Sequence, residues 1–194
     1  MSATKYDERT LKEYAIDILE IAYSNLLQSI QGIKPEEVLK QINPEINPIG
    51  LIISHCAAHM HGIFIKRCQG KLILPAKYKF SFKKMKEMED SFSFKELIDQ
   101  FMQVADSTFH YLGELPEEKF RHLPEKGKSE ETLLELSQRI ALHFMGHMGQ
   151  IRIIRMELGN PAKGFFVSGI SKSERQNVIT KWREWWEKNG GEFQ

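Results

Sequence analysis

Two histidines stand four residues apart in HFMGHMGQIR, residues 143 to 152, a stretch that is otherwise largely apolar. On a helix, positions i and i+4 lie one turn apart on one face, so His143 and His147 can grip a single metal ion. They also fall within a helical series of spacings three and four: Leu133, Leu136, Ile140, His143, His147, Ile151, Ile154 and Leu158. Read by periodicity, the two imidazoles belong to the buried stripe itself. Imidazoles in a core are costly unless their nitrogens find partners. One such partner is a metal; the other is an ordinary hydrogen bond to a neighbouring core group.

Two ligands rarely hold an ion. A second apolar segment, IGLIISHCAAHMHGIFIKRC, residues 49 to 68, offers His55, His59 and His61. His55 and His59 are again four apart, whereas His61 projects elsewhere. Imidazole-only ligation suits zinc, nickel, copper or iron, and three histidines with open positions make a catalytic-type site. His59 is open to three roles: a fourth ligand, a hydrogen-bond donor behind the ligands, or a core residue. Other templates fail. Phe144 follows His143, so the H-E-x-x-H zinc protease motif is absent, and no Glu stands three before any of these histidines, as a di-iron bundle requires. His110 and His122 lie in polar contexts and read as surface residues.

The elements that must position these residues are helices. The first is expected from about Asp7 or Thr10 to Gln31, with Gly32 as its stop. The second opens at Asn47-Pro48, with Asn as the cap. The third starts at Ser93, with Ser93 and Glu96 as a capping box and Phe92 stapled onto Leu97. The fourth runs from about Ser129 to Leu158, with Glu130 and Glu131 in its first turn and Gly159 beyond its end. A fifth spans about Lys172 to Lys188, with Ser171 and Glu174 as a capping box and an apolar edge of Val178, Trp182 and Trp185. The pattern predicts an all-α protein, an antiparallel four-helix bundle with an additional C-terminal helix. Residues 7–160 form the bundle in this reading. Residues 161–194 form an extension that packs on it or on a second subunit.

Composition narrows the classes. The chain has 194 residues and a formal net charge of +1, so it carries no global nucleic-acid or membrane footprint. No apolar run is read as approaching the roughly 20 residues that span a bilayer, and the first residues lack the apolar stretch of a secretion signal. The expectation is a soluble, cytoplasmic protein that engages neither membrane nor nucleic acid. The two cysteines, Cys56 and Cys68, fall in one helix about 18 Å apart, beyond disulfide reach. Between the second and third helices, KLILPAKYKFSFKKMK holds six lysines and no acid. Its alternation of lysine and aromatic residues is strand-like. A solvated loop is the favoured reading; a basic flap that attracts an anionic small molecule and a single-stranded nucleic-acid surface are the others. Trp182, Trp185 and Trp186 together motivate a homodimer, since tryptophan favours interface anchors.

These histidines, with their flanking residues, resemble the DinB-like superfamily, which includes the YfiT-type metal-dependent proteins. NPIGLIISH matches the opening of that family's second helix, and H-x3-H followed by G-Q-I matches its fourth; the overlap runs from about Thr10 to Leu158. The resemblance implies a four-helix bundle with a histidine triad at His55, His143 and His147, holding a divalent metal, zinc or nickel. One departure is Met148, where many relatives carry Arg. Several relatives are thiol S-transferases that join a small thiol to an electrophile. The implied function is therefore a metal-dependent thiol S-transferase with a small-molecule thiol and an electrophile as partners. A non-enzymatic, stress-related metal-binding protein and a metal-free helical interaction module are the alternatives.

Overall fold

The computed structural model describes residues 9–75, 93–124, 129–164 and 171–193, and every regular element among them is a helix. Five long helices follow in order: α1 Leu11–Ile30, α2 Ile49–Met60, α3 Phe94–Glu114, α4 Leu133–Glu157 and α5 Lys172–Asn189. α2 continues into a π-helical segment, His61–Arg67, in which the Cys68 N–H reaches back five residues to the Ile63 carbonyl.

Local chemistry explains most of the boundaries. Thr10, Thr132 and Ser171 each close a capping box with a glutamate three residues on, satisfying N–H groups that the first helical turn leaves free. Ser93 Oγ likewise accepts from the Glu96 N–H at 3.1 Å. Phe92 lies outside the described residues. Gly32 and Gly159 follow the ends of α1 and α4 with φ of 73° and 75°, a left-handed backbone that a Cβ would disfavour.

Two expected starts move. α4 begins at Leu133 rather than near Ser129, because Thr132 outcompetes the upstream acids as a cap; Glu131 instead pairs with Arg139 at 2.8 Å. The cap of α2 is Pro48, without a side-chain bond, and the Gly50 N–H is satisfied at 2.8 Å by the Val38 carbonyl of the preceding loop. An asparagine cap is unnecessary once that carbonyl is in place.

Helix directions follow from the bonds between their ends. Arg155, near the end of α4, donates to the carbonyls of Ser29 and Gln31 at the end of α1, at 2.9 and 2.8 Å. α1 and α4 therefore run the same way. Lys12, at the start of α1, donates to the Leu115 carbonyl just past the end of α3 at 2.8 Å, so α3 runs oppositely. His55 lies against His147, and His59 against His143, so α2 opposes α4. The order is up, down, down, up, which differs from a strictly alternating antiparallel arrangement. Two consecutive helices that run the same way, α2 and α3, need a connection as long as a helix. Residues 70 to 93 supply that length, and the lysine-rich stretch falls mostly within residues 76–92, outside the described residues.

The core is drawn from all five helices. Leu19, Leu26, Ile53, Phe64, Leu97, Phe101, Phe144 and Ile151 are fully enclosed. The closest association is that of α1 with α4, and α5 packs on α1. Arg175 of α5 pairs with Asp17 and Glu20 of α1, and Trp186 Nε1 donates to Asp99 of α3 at 2.8 Å. Trp182 and Trp186 are buried within the chain, while Trp185, expected on the apolar edge, is only half-buried. By length and hydropathy alone, Ile49–Arg67 is apolar enough to cross a membrane: 19 residues with a mean hydropathy of 1.2. That corrects the sequence expectation. Yet 72% of this stretch is buried inside the protein, where it serves as a core helix.

Candidate metal centre

α2 and α4 bring four histidines into one cluster. Cys56, next to His55, turns into the core, fully buried, and burial pushes its thiol well above the ordinary range. The neighbouring position on α2 therefore faces α4 and carries His55, with His59 one turn on. His61 is buried apart from the cluster, where its Nε2 accepts the Ile73 N–H at 3.1 Å. It pins the chain after the π-helical segment and is not a ligand candidate. His110 and His122 are exposed on the surface, as their polar contexts suggested.

The four rings form one connected cluster. Centroids are 4.3 Å apart for His55 and His59, 4.4 Å for His59 and His143, and 4.4 Å for His143 and His147. His55 lies 4.9 Å from His143 and 5.0 Å from His147. The ligand nitrogens of His55, His59 and His143 lie within 4.8 Å of one another, a group able to hold a metal ion. His147 sits beside this trio. Its Nδ1 is hydrogen-bonded to Gln150 Oε1 at 2.7 Å. Since a glutamine oxygen only accepts, that bond places the proton on Nδ1 and leaves Nε2 with its lone pair free, the arrangement typical of a metal-binding histidine.

The stripe of α4 is not quite the one that periodicity gave. Ile140, Phe144, Met148, Ile151 and Arg155 fill the core, while His143 and His147 lie half-buried along its edge. Phe144 packs edge-on against Phe101 of α3 and Arg155 bonds to the end of α1, which leaves the histidine face of α4 for α2. This position suits a site that small molecules must reach.

The environment favours the neutral form of His55, His59 and His143. Burial first, then the neighbouring imidazoles His59 and His147, lowers the pKa of His55 to about 4. Burial, then His147, His59, His55 and the Arg139 guanidinium, lowers that of His143 to about 4 as well. His59 is shifted downward by burial, Arg139 and His147. Neutral imidazole is the form that binds a metal. One atom makes the fit concrete: His143 Nε2 is buried and has no hydrogen-bond partner. Such a nitrogen costs stability as it stands, and a metal ion among three neighbouring imidazoles satisfies it. The donor set fits a divalent metal of the imidazole-preferring class.

Sequence reasoning missed three residues at the edge of this cluster. Lys66 and Arg67, at the end of the π-helical segment, and Arg139, one turn before His143, line a cavity of about 600 Å³ together with His59. The spacing held the signal: Lys66 and Arg67 fall two turns after His59 on the same face.

A mostly buried all-helical core with a polyhistidine cluster between two opposed helices defines a class of helical protein able to hold a metal at its core. The family model of the DinB superfamily matches residues 18–151, and the chain belongs to that superfamily. No curated protein and no solved structure matches the chain.

Proposed function

We propose that the protein is a DinB-type four-helix bundle that holds one divalent metal, zinc or nickel, through His55, His143 and His147. It uses that site as a thiol S-transferase toward small electrophiles. The observation that carries the metal is the buried, unpartnered His143 Nε2 beside the imidazoles of His55 and His147. His55 and His143 are common to the trio His55, His59 and His143 and to the proposed set of His55, His143 and His147. His147 is preferred as the third because Gln150 fixes its tautomer. His59 remains beside the site, at the wall of the adjoining cavity.

When bound, the metal supplies Lewis-acid stabilisation of a thiolate, the nucleophilic form of a thiol. The chain's own residues do the rest. α2 and α4 hold the three imidazoles at one place, and the cavity beside His59 admits a small molecule. The thiol proton passes to solvent water. The reaction forms one sulfur–carbon bond as the electrophile's leaving group departs with its electron pair. No protein nucleophile takes part. A cytoplasmic setting, where small thiols are abundant, goes with this reading, as do two free, buried cysteines.

The test is conjugation of a panel of small thiols to a halogenated aromatic or an epoxide by metal-loaded protein. A free thiol with a pKa of about 8.5 is only a few per cent ionised at pH 7, so acceleration is greatest at or below neutrality and shrinks in alkali. A folded, metal-loaded protein that accelerates none of these reactions would leave the non-enzymatic metal-binding reading in its place.

A further inference from the structure

The cavity beside the histidine cluster has a charge pattern that the thiol reading alone does not require. Its volume is about 600 Å³, within the range of small-molecule sites. Three of its lining side chains are cationic: Lys66, Arg67 and Arg139. Among the described residues, no carboxylate lines it. Ala58 and Ile63 give it an apolar floor, and Gly62 adds no side chain to fill it. A Cβ placed on Gly62 would meet nothing within 4 Å, so the open space there is real. His59 forms the wall that it shares with the metal centre.

Two elements are needed to gather these cations. Lys66 and Arg67 stand at the end of the π-helical segment that extends α2, and Arg139 comes from α4. Arg139 is tethered by Glu131 at 2.8 Å, with side chains 46% and 36% exposed, so one face of its guanidinium is held while the rest remains open to the cavity. In a chain whose net charge is only +1, three cations around one cavity are a local concentration of positive charge. Met148, the departure from the family pattern, is buried in the core and takes no part.

We propose that this cavity binds the anionic end of the thiol substrate, a small molecule with at least two carboxylate or phosphate charges, and so sets which thiol reaches the metal. The claim rests on the thiol reading for its substrate, but the anion site itself is separable. Guanidinium groups match carboxylate and phosphate in planar, two-pronged bonds, and Lys66 adds a mobile point charge. An anion anchored by these three groups places the rest of a short molecule past His59, toward the imidazoles.

The experiment uses the full chain, metal-loaded and calorimetrically titrated with four probes: mercaptosuccinate, 2-mercaptoethanol, succinate and acetate. Mercaptosuccinate is expected to bind at least about tenfold more tightly than 2-mercaptoethanol at low salt, because several partly exposed ion pairs add up. The preference should fade at high salt. Succinate should compete with mercaptosuccinate, and acetate should compete far less. In a Lys66→Gln/Arg67→Gln/Arg139→Gln variant, verified to keep its helix content and its metal, the preference should vanish. Equal affinity for the two thiols overturns the proposal, and so does a preference that survives in the triple variant, which would mean direct chelation by the metal. If succinate binds through these cations while no thiol is conjugated, the anion site stands and the thiol chemistry falls. If uncharged thiols are conjugated as well as charged ones, the thiol chemistry stands and the anion site falls.

Discussion

The rings of His59 and His143 stack face to face, 4.4 Å apart and within 7° of parallel, across the gap between α2 and α4. This contact joins the residue whose role the sequence left open to the one whose ring nitrogen has no partner. It places His59 in the cluster, although the family resemblance implies only three ligands. Substitution separates the roles. His55→Ala, His143→Ala and His147→Ala should each abolish tight metal binding, since two remaining proposed ligands hold an ion poorly. His59→Ala should weaken it less. Metal retained in full by His147→Ala but lost in His59→Ala would reassign the third ligand to His59.

The depressed pKa values give the metal-free protein a pH signature. His55 and His143 titrate near 4 in the folded chain, against an ordinary value of 6.5 that applies once the chain unfolds. Between those values the unfolded state binds more protons than the folded one, so stability rises with pH. Above about 6.5 both states are neutral at these sites and their contribution is flat. Denaturant midpoints of metal-free protein should therefore fall as pH is lowered from about 6.5 toward 4. In a His55→Ala/His143→Ala variant that slope should be shallower. An identical slope in both proteins would contradict the assignment.

Arg155 is a third point of leverage. It is 2% exposed and donates to the carbonyls of Ser29, Gln31 and Asn160. Asn160 in turn donates to the Gly32 carbonyl and to Glu37. This network ties the parallel ends of α1 and α4 and neutralises the negative end of α1. Arg155→Ala leaves buried carbonyls without donors and should cost roughly 2–4 kcal/mol by chemical denaturation. A loss under about 0.5 kcal/mol, the usual ceiling for a surface substitution, would mean that the network is not needed.

α5 is held by Trp182, which is fully enclosed, and by the pairing of Arg175 with Asp17 and Glu20. Trp182→Ala should cost roughly 3–5 kcal/mol, the usual penalty for emptying an aromatic site, while leaving the metal stoichiometry unchanged. Sedimentation of the full chain tests the expected homodimer separately. With Trp182 and Trp186 covered within the chain, an interface at this helix would draw on Trp185, and a full-length monomer would exclude it.

Local signals carried the helices well. Capping residues such as Thr10 and Ser171, and glycines such as Gly32 and Gly159, act within one turn, so they can be read from neighbours in sequence. Spacing and the family resemblance pointed to His55, His143 and His147, and the structure brings their rings together while adding His59. What periodicity could not show was which side of α4 meets which partner. Phe144, packed against Phe101 of α3, and Met148 took the core, and the histidines lie at its edge. Helix direction was hidden for the same reason: it depends on contacts such as Arg155 with Ser29, more than a hundred residues apart in the chain. The length of the connection from Gly70 to Ser93 was the one available hint that α2 and α3 run the same way. The basic cavity needed both helices in place, since Arg139 and Lys66 share no sequence neighbourhood.

The most direct measurement is the metal content of the full chain purified without a histidine tag, compared with His143→Ala prepared in the same way. The account predicts about one zinc or nickel ion per wild-type chain by elemental analysis. It predicts loss of that ion in the variant, with helix content retained by circular dichroism. A folded wild-type protein that takes up no divalent metal even when supplied with it, or a His143→Ala chain that keeps a full ion, would contradict the account at its centre.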